Sequence, residues 1–135
     1  MKVKFIKMHY VCSIINFKKN MERSVSSNEF LFGEEIQWEI VGEGVKRKIL
    51  AFDNRVMLVN VYFETGAVGA LHEHYHTQVT YVAKGKFDVT INGVTRLLKE
   101  GDSFYIPPHA IHGVLCVEEG MLTDVFSPMR EDFMK

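Results

Sequence analysis

One stretch of the chain carries most of its chemical information: Gly69-Ala70-Leu71-His72-Glu73-His74-Tyr75-His76-Thr77-Gln78. It holds three of the six histidines at alternate positions, with a glutamine two positions after the last. Side chains alternate between the faces of a strand, so residues 72, 74, 76 and 78 are predicted to share one face. Protonated imidazoles would repel one another there, whereas neutral imidazoles can ligate a metal ion. The spacing therefore predicts a metal site.

A second segment, Pro107-Pro108-His109-Ala110-Ile111-His112, supplies two more histidines about 30 residues further along. It can offer a fourth ligand from another strand. Imidazole nitrogens suit Zn, Ni and Fe, and Mn where oxygen donors join them, so the donor types do not fix the metal.

The length and charge of the chain predict one ordinary globular domain. It has 135 residues, 47% of them hydrophobic and 24% charged. Residues 1–20 contain five lysines and no acid, which leaves 11 basic and 17 acidic residues in the rest. We expect a basic N-terminal extension over 1–20 and one domain over 21–135, beginning at Met21. An acidic body argues against a nucleic-acid partner, because phosphate binding needs a basic surface.

The N-terminal segment does not have the pattern of a signal peptide. Its apolar run, Tyr10–Phe17, is interrupted by polar residues and ends at Lys18-Lys19 without a small-residue cleavage site. No run approaches the roughly 18 apolar residues of a membrane span. The two cysteines, Cys12 and Cys116, form no CxxC pair, which favours reduced thiols and a cytoplasmic protein, with Cys116 buried in a strand.

From residue 36 onward the chain is predicted to form strand after strand. Short runs rich in Val, Ile, Phe, Tyr and Thr alternate with turn residues, and Asn92-Gly93 is a strong two-residue hairpin signal. Many short strands without helices predict an all-β sandwich or barrel. The predicted strands are Ile36–Val41, Lys46–Phe52, Val56–Phe63, Ala70–His74, Val79–Ala83, Phe87–Ile91, Thr95–Leu98, Ser103–Ile106, Val114–Val117 and Leu122–Phe126.

Two spaced motifs resemble those of the cupin family. Gly69-x2-His72-x-His74-x3-Gln78-x6-Gly85 resembles the first cupin motif, with Gln where Glu is usual, and Gly101-x5-Pro107-x4-His112 resembles the second. The resemblance implies a double-stranded β-helix, or jelly roll, with a metal in its mouth. It implies that the ion is one divalent metal and that its ligands are His72, His74, Gln78 and His112.

The remaining residues of the two motifs are expected to lie outside the ligand set. The cupin pattern skips His76, which we expect at the rim of the pocket. His109 and Glu73 are expected at the surface. A glutamine in place of glutamate removes one negative charge, which would make the ion a stronger Lewis acid toward an anionic substrate.

The C-terminal segment carries a narrower resemblance. Asp124-Val125-Phe126-Ser127-Pro128-Met129-Arg130-Glu131-Asp132-Phe133 resembles the tail of small cupins that open unsaturated uronate rings in pectin and alginate breakdown. The resemblance implies that Asp124 is the acid/base, that Arg130 binds a carboxylate, and that Thr80 stands where the family has a helpful polar residue. From the residues alone, Asp124 is as readily a surface acid and Arg130 one half of a tail salt bridge.

Three functions fit the sequence. The first is metal-dependent opening of 4,5-unsaturated uronates, small acidic sugars, to open-chain keto acids. The second is a cupin dioxygenase with a redox metal, and the third is a non-catalytic, metal-dependent sugar- or acid-binding cupin. Small cupins commonly pair edge strands, and Ile14, Ile15 and Phe17 add apolar surface, so we expect a homodimer.

Overall fold

The computed structural model describes residues 25–135, which form eight antiparallel strands and two short 3-10 helices. The predicted extension over residues 1–20 lies outside this part, so the boundary at residue 21 stays a prediction. No helix among the described residues is long and apolar enough to cross a membrane. The elements are the 3-10 helix Gly33–Glu35, β1 (Glu39–Gly42), β2 (Val45–Asp53), β3 (Val56–Phe63), β4 (Val68–His72), β5 (Thr77–Ile91), β6 (Val94–Lys99), β7 (Ser103–Ile106), β8 (His112–Ser127) and the 3-10 helix Glu131–Met134.

Strands β5 and β8 are long, pair with each other and belong to both layers of the fold. The first half of β5 pairs with the second half of β8 and with β7, and β3, β2 and β1 extend this layer from β8. The second half of β5 pairs with the first half of β8 and with β6, while β4 lies on the other side of β8. The predicted jelly roll is therefore confirmed, as is the Asn92-Gly93 hairpin between β5 and β6.

The sequence prediction divided β5 and β8 into two strands each, and the structure corrects this. The register between the two strands shifts between Val82 and Phe87, and the pairing continues on both sides of the shift. Gly85 and Gly120 face each other at this point, and a Cβ on either would collide with backbone of the other strand. A glycine at each of these positions lets the two backbones approach closely and permits a bend. In the sequence alone, the same glycines resemble the end of a strand.

Alternate side chains along β5 and β8 point into the core. In β5 the residues Val82, Phe87 and Val89 are buried, and Phe87 packs edge-to-face on Phe63 with ring centroids 5.3 Å apart. Cys116 of β8 is buried in the same cluster, as expected. A second cluster joins Met57, Val59 and Phe126. Toward the start of β5 the inward positions become polar, and this change creates the site.

Candidate functional site

Three histidines converge where β4 meets β8. His72 ends β4 and is the cross-strand neighbour of His112, which begins β8, so pairing of the two strands joins the two sequence motifs. His74 lies in the connection to β5, and its ring centroid is 4.9 Å from that of His112. One ligand atom from each of the three lies within 4.8 Å of the others. The three imidazoles thus form a group able to hold a metal ion.

Backbone carbonyls orient all three rings in the same way. Nδ1 of His72, His74 and His112 lies 2.8, 3.1 and 2.9 Å from the carbonyl oxygen of a residue two positions away. A carbonyl only accepts, so each Nδ1 carries the proton and each Nε2 presents a lone pair. Nε2 of His112 is buried and has no hydrogen-bond partner within residues 25–135. A metal ion would satisfy these lone pairs, so the donor set fits a metal.

Gln78 completes the group through its side-chain oxygen. Its Oε1 lies 3.0 Å from Nε2 of His74, so two acceptors face each other, an arrangement that a cation between them would stabilise. This separation would allow both atoms to bind one ion. The structure thus brings together His72, His74, Gln78 and His112, as the sequence predicts, and their joint ligation of an ion remains a prediction.

A chain of hydrogen bonds holds the Gln78 amide in this orientation. Its Nε2 donates to the hydroxyl of Thr80 at 2.9 Å and lies 3.4 Å from Oδ1 of Asp124, and the Thr80 hydroxyl donates to the same Oδ1 at 2.7 Å. Glutamate at position 78 would lack the donors and would set a second carboxylate beside Asp124. The network therefore gives a structural reason for glutamine, besides its effect on the charge of the ion.

Burial controls the charge states of the polar groups. Burial lowers the pKa of His74 to about 4, with a further contribution from the positive charge of Arg130. It also lowers the pKa of His112. Burial raises the pKa of Asp124 to about 6, against the opposing hydrogen bond from Thr80. At neutral pH two of the imidazoles are therefore neutral, as ligation requires, and Asp124 titrates close to neutrality.

His72, Gln78, His112 and Asp124 line one cavity of about 250 Å³. Asp124 is buried on its wall, so the interpretation as a surface acid is wrong. Arg130 also lines the cavity, and it makes the predicted tail salt bridge as well, with Asp132 at 2.9 Å. Sequence reasoning missed Arg47 and Phe133, which share the lining. Arg47 follows the buried Val45 by two positions in the same strand. Strand alternation could therefore have predicted that the two side chains share a face.

The prediction for His76 is wrong in its position. β4 ends at His72 and β5 begins at Thr77, so strand alternation does not continue through the histidines. His76 is not among the residues that line the cavity, is only 3% exposed, and its Nε2 lies 3.0 Å from a carboxylate oxygen of Glu131. Its ring also stacks on that of Tyr75.

The two residues expected at the surface are there. His109 and Glu73 are both exposed and form a pair with a nitrogen–oxygen distance of 3.0 Å. Neither lines the cavity.

Comparison with known proteins agrees with the fold and the motifs. The sequence model of the family described as Cupin domain matches residues 59–126 of this chain. The pectin degradation protein KdgF from Dickeya dadantii (strain 3937) is 44% identical over 107 residues, which are 78% of this chain and 97% of that protein.

Two solved structures are similar over most of the described chain. An RmlC-like cupin from Shewanella frigidimarina NCIMB 400 superposes with a TM-score of 0.78 at 47% identity, covering 80% of this chain and 97% of that one. KdgF from a Halomonas species superposes with a TM-score of 0.76 at 39% identity, covering 79% and 99%. This chain therefore belongs to the cupin family and, within it, is a relative of KdgF.

Proposed function

We propose that this protein is a metal-dependent isomerase that opens 4,5-unsaturated uronates to their open-chain keto acids. The observation that carries the proposal is the hydrogen-bond chain Gln78–Thr80–Asp124, which connects a histidine group to a buried acid in one cavity. The similarity to two proteins named KdgF, one of them called a pectin degradation protein, supports the substrate class.

The metal would be held by the four predicted ligands, His72, His74, Gln78 and His112. When bound, a divalent ion supplies Lewis-acid polarisation of a substrate oxygen. Zn, Ni, Mn and Fe all suit three imidazoles and one amide oxygen. The protein contributes the neutral imidazoles and the fixed amide orientation, which lower the cost of assembling the site.

The reaction needs a group that moves a proton, and Asp124 has the required properties. The anomeric hydroxyl loses its proton, the bond between the anomeric carbon and the ring oxygen breaks, and the resulting enol gains a proton on carbon to become a ketone. No atom is gained or lost overall. A carboxyl with a pKa of about 6 can both accept and return a proton near neutral pH.

Arg130 provides the positive charge for the substrate's carboxylate. Its guanidinium lines the cavity and is only 11% exposed, so an ion pair formed there would be partly shielded from solvent. The walls contributed by Val61, Val89, Leu122 and Phe126 are apolar and would exclude water from the ring.

The direct test is an absorbance assay. Metal-loaded protein is mixed with unsaturated galacturonate-, mannuronate- or guluronate-derived monomers, and loss of the conjugated carboxylate's ultraviolet absorbance is compared with the spontaneous rate. Faster loss supports the proposal. No acceleration on any of the three, with binding retained, favours the binding role, and oxygen consumption with stoichiometric iron favours the dioxygenase.

We also propose a cytoplasmic homodimer. The edge strand β1 is exposed along its whole length, with Ile40 77% exposed, and would suit pairing with a second copy. The buried free thiol of Cys116 suits a reducing compartment. Light scattering tests the dimer, and a monomeric mass would contradict it.

A further inference from the structure

A second arginine lines the cavity, and neither the sequence motifs nor the proposed mechanism uses it. Arg47 lies on β2, where its cross-strand neighbours are Glu39 of β1 and Val61 of β3. Its side chain is 16% exposed and lines the same cavity as His72 and Arg130. A guanidinium on an inward face of a sheet is costly unless its donors are satisfied, so its partners are informative.

Arg47 and Arg130 are held by the same kind of clamp. Nε and Nη2 of Arg47 donate to the two carboxylate oxygens of Glu39 at 3.0 and 3.2 Å. Nε and Nη2 of Arg130 donate to the two carboxylate oxygens of Asp132 at 3.1 and 2.9 Å. Within residues 25–135 neither arginine makes another hydrogen bond, so the Nη1–Nη2 end of each fork keeps donors for a ligand.

The two forks also contact the same aromatic ring. The guanidinium carbons of Arg47 and Arg130 lie 3.7 and 4.2 Å from the centroid of the Phe133 ring, so they are at most about 8 Å apart, the sum of the two distances. Phe133 in turn packs edge-to-face on Phe126, with centroids 5.7 Å apart. This shared aromatic ring limits how the two guanidinium groups can move, which favours a preorganised anion site.

The charges are distributed so that the cavity has a positive side. The carboxylates of Glu39 and Asp132 are 50% and 49% exposed, whereas their arginine partners are 16% and 11% exposed. Water therefore screens the negative members more than the positive ones. An anion in the cavity would meet two guanidinium groups whose own counter-charges lie toward solvent.

We propose that Arg47 acts with Arg130 to bind the carboxylate of a monouronate, and that Arg47 is thus a substrate-binding residue. The identity of the substrate rests on the proposed function, whereas the binding of a carboxylate by the two arginines does not. A cavity of about 250 Å³ lies below the range usual for drug-sized ligands and suits one sugar ring. Arginine forks match a carboxylate in a bidentate fashion, so two of them select an acidic sugar over a neutral one.

The test measures binding without turnover. Calorimetric titration of the metal-loaded protein uses galacturonate, a stable saturated monouronate, and galactose as its neutral counterpart. We expect Arg47→Gln to weaken galacturonate binding at least 10-fold and to leave galactose unchanged. Arg96→Gln is the matched control, because Arg96 is an exposed arginine on β6 that does not line the cavity. A loss no larger than in Arg96→Gln overturns the proposal, as does a wild type that binds galacturonate no better than galactose.

Two further variants separate binding from a structural role. Glu39→Gln removes the negative charge and one of the two acceptors of the clamp and keeps the Arg47 charge, so it should retain galacturonate affinity within about threefold. If Arg47 only stabilised the fold through Glu39, both variants would lose affinity equally. Arg47→Lys keeps a charge without the fork and should bind less tightly than wild type. Equal losses in Arg47→Gln and Glu39→Gln overturn the proposal. Unchanged affinity in Arg47→Lys also overturns it, and this second result stands if Arg47→Gln does not fold.

Turnover distinguishes this inference from the proposed function. In the absorbance assay Arg47→Gln should raise KM at least 10-fold and leave kcat within a few-fold, as expected when uniform binding is removed. The wild type could bind galacturonate through Arg47 and yet show no turnover of unsaturated uronates. That result would refute the proposed function and leave this inference intact. A fall in kcat with KM unchanged would refute the binding role.

Discussion

Replacing Asp124 by asparagine should make the protein more stable and much less active. The side chains have the same shape, and the asparagine oxygen can still accept the hydrogen bonds that Thr80 and Gln78 donate to Oδ1. The change removes the charge and the titrating proton, and it replaces the acceptor Oδ2 by an amide nitrogen. Two measurable effects of opposite sign follow.

The stability gain can be worked from the pKa. Burial raises the pKa of Asp124 from 3.8 to about 6, so the folded state disfavours the ionised carboxyl. Below pH 4 the group is protonated in both states and has no effect on unfolding. Between pH 4 and 6 the unfolded state loses its proton first, and the folded state loses stability as pH rises. Above pH 6 the full cost applies, about 3 kcal/mol at 1.36 kcal/mol per pK unit.

The assay is thermal or urea unfolding of metal-free wild type and Asp124→Asn across this range. The variant should match wild type near pH 4 and exceed it by up to about 3 kcal/mol at pH 7, or roughly 10 °C in Tm for a domain of this size. A bound cation would favour the ionised carboxyl, so metal loading should shrink the difference. A variant that is less stable than wild type at pH 7 would refute the argument from burial.

The activity of the same variant should fall by roughly 10²–10⁴ in kcat, the usual contribution of a general acid–base group. Metal binding should stay stoichiometric, because Asp124 is not a predicted ligand. Wild-type turnover by Asp124→Asn would refute its role in proton transfer. Gained stability together with lost activity is typical of a charge that is buried for function.

Three other predictions concern the metal group. Gln78→Glu should lower kcat at least 10-fold, because it removes two hydrogen-bond donors and adds a carboxylate beside the buried acid; unchanged turnover would contradict the network argument. His72→Ala should abolish stoichiometric metal binding by elemental analysis, whereas His76→Ala should retain it, and equal losses would show a wrong ligand set. Because burial lowers the pKa of His74 to about 4 and also lowers that of His112, metal affinity should fall less steeply than three log units per pH unit between pH 6.5 and 5, and a slope near three would contradict this.

The sequence predicted the fold and the convergent residues well because both depend on local spacing. Alternating apolar residues and the Asn92-Gly93 turn identify strands, and the spaced histidines identify the mouth of the jelly roll. Spacing could not show that β5 and β8 continue through Gly85 and Gly120, because a glycine that allows two backbones to touch has the same sequence signal as one that ends a strand.

The misplaced and missed residues depend on contacts between distant segments. His76 is buried by Glu131, 55 positions away, which no periodicity could reveal. Arg47 reaches the cavity because β2 is two strands from β8 in the sheet, and Phe133 because the C-terminal 3-10 helix packs back on Phe126. The fixed orientation of Gln78 likewise depends on cross-strand pairing of Thr80 with Asp124.

Titration of activity with metal tests the central claim most directly. Protein freed of metal by a chelator is loaded with increasing amounts of one divalent ion, and the rate of unsaturated uronate loss is measured at each ratio. The rate should rise linearly with bound metal and stop rising at one ion per chain, and His72→Ala should be inactive at every ratio. Full activity in the metal-free protein, or none at one bound ion per chain with each of Zn, Ni, Mn and Fe, would contradict the claim.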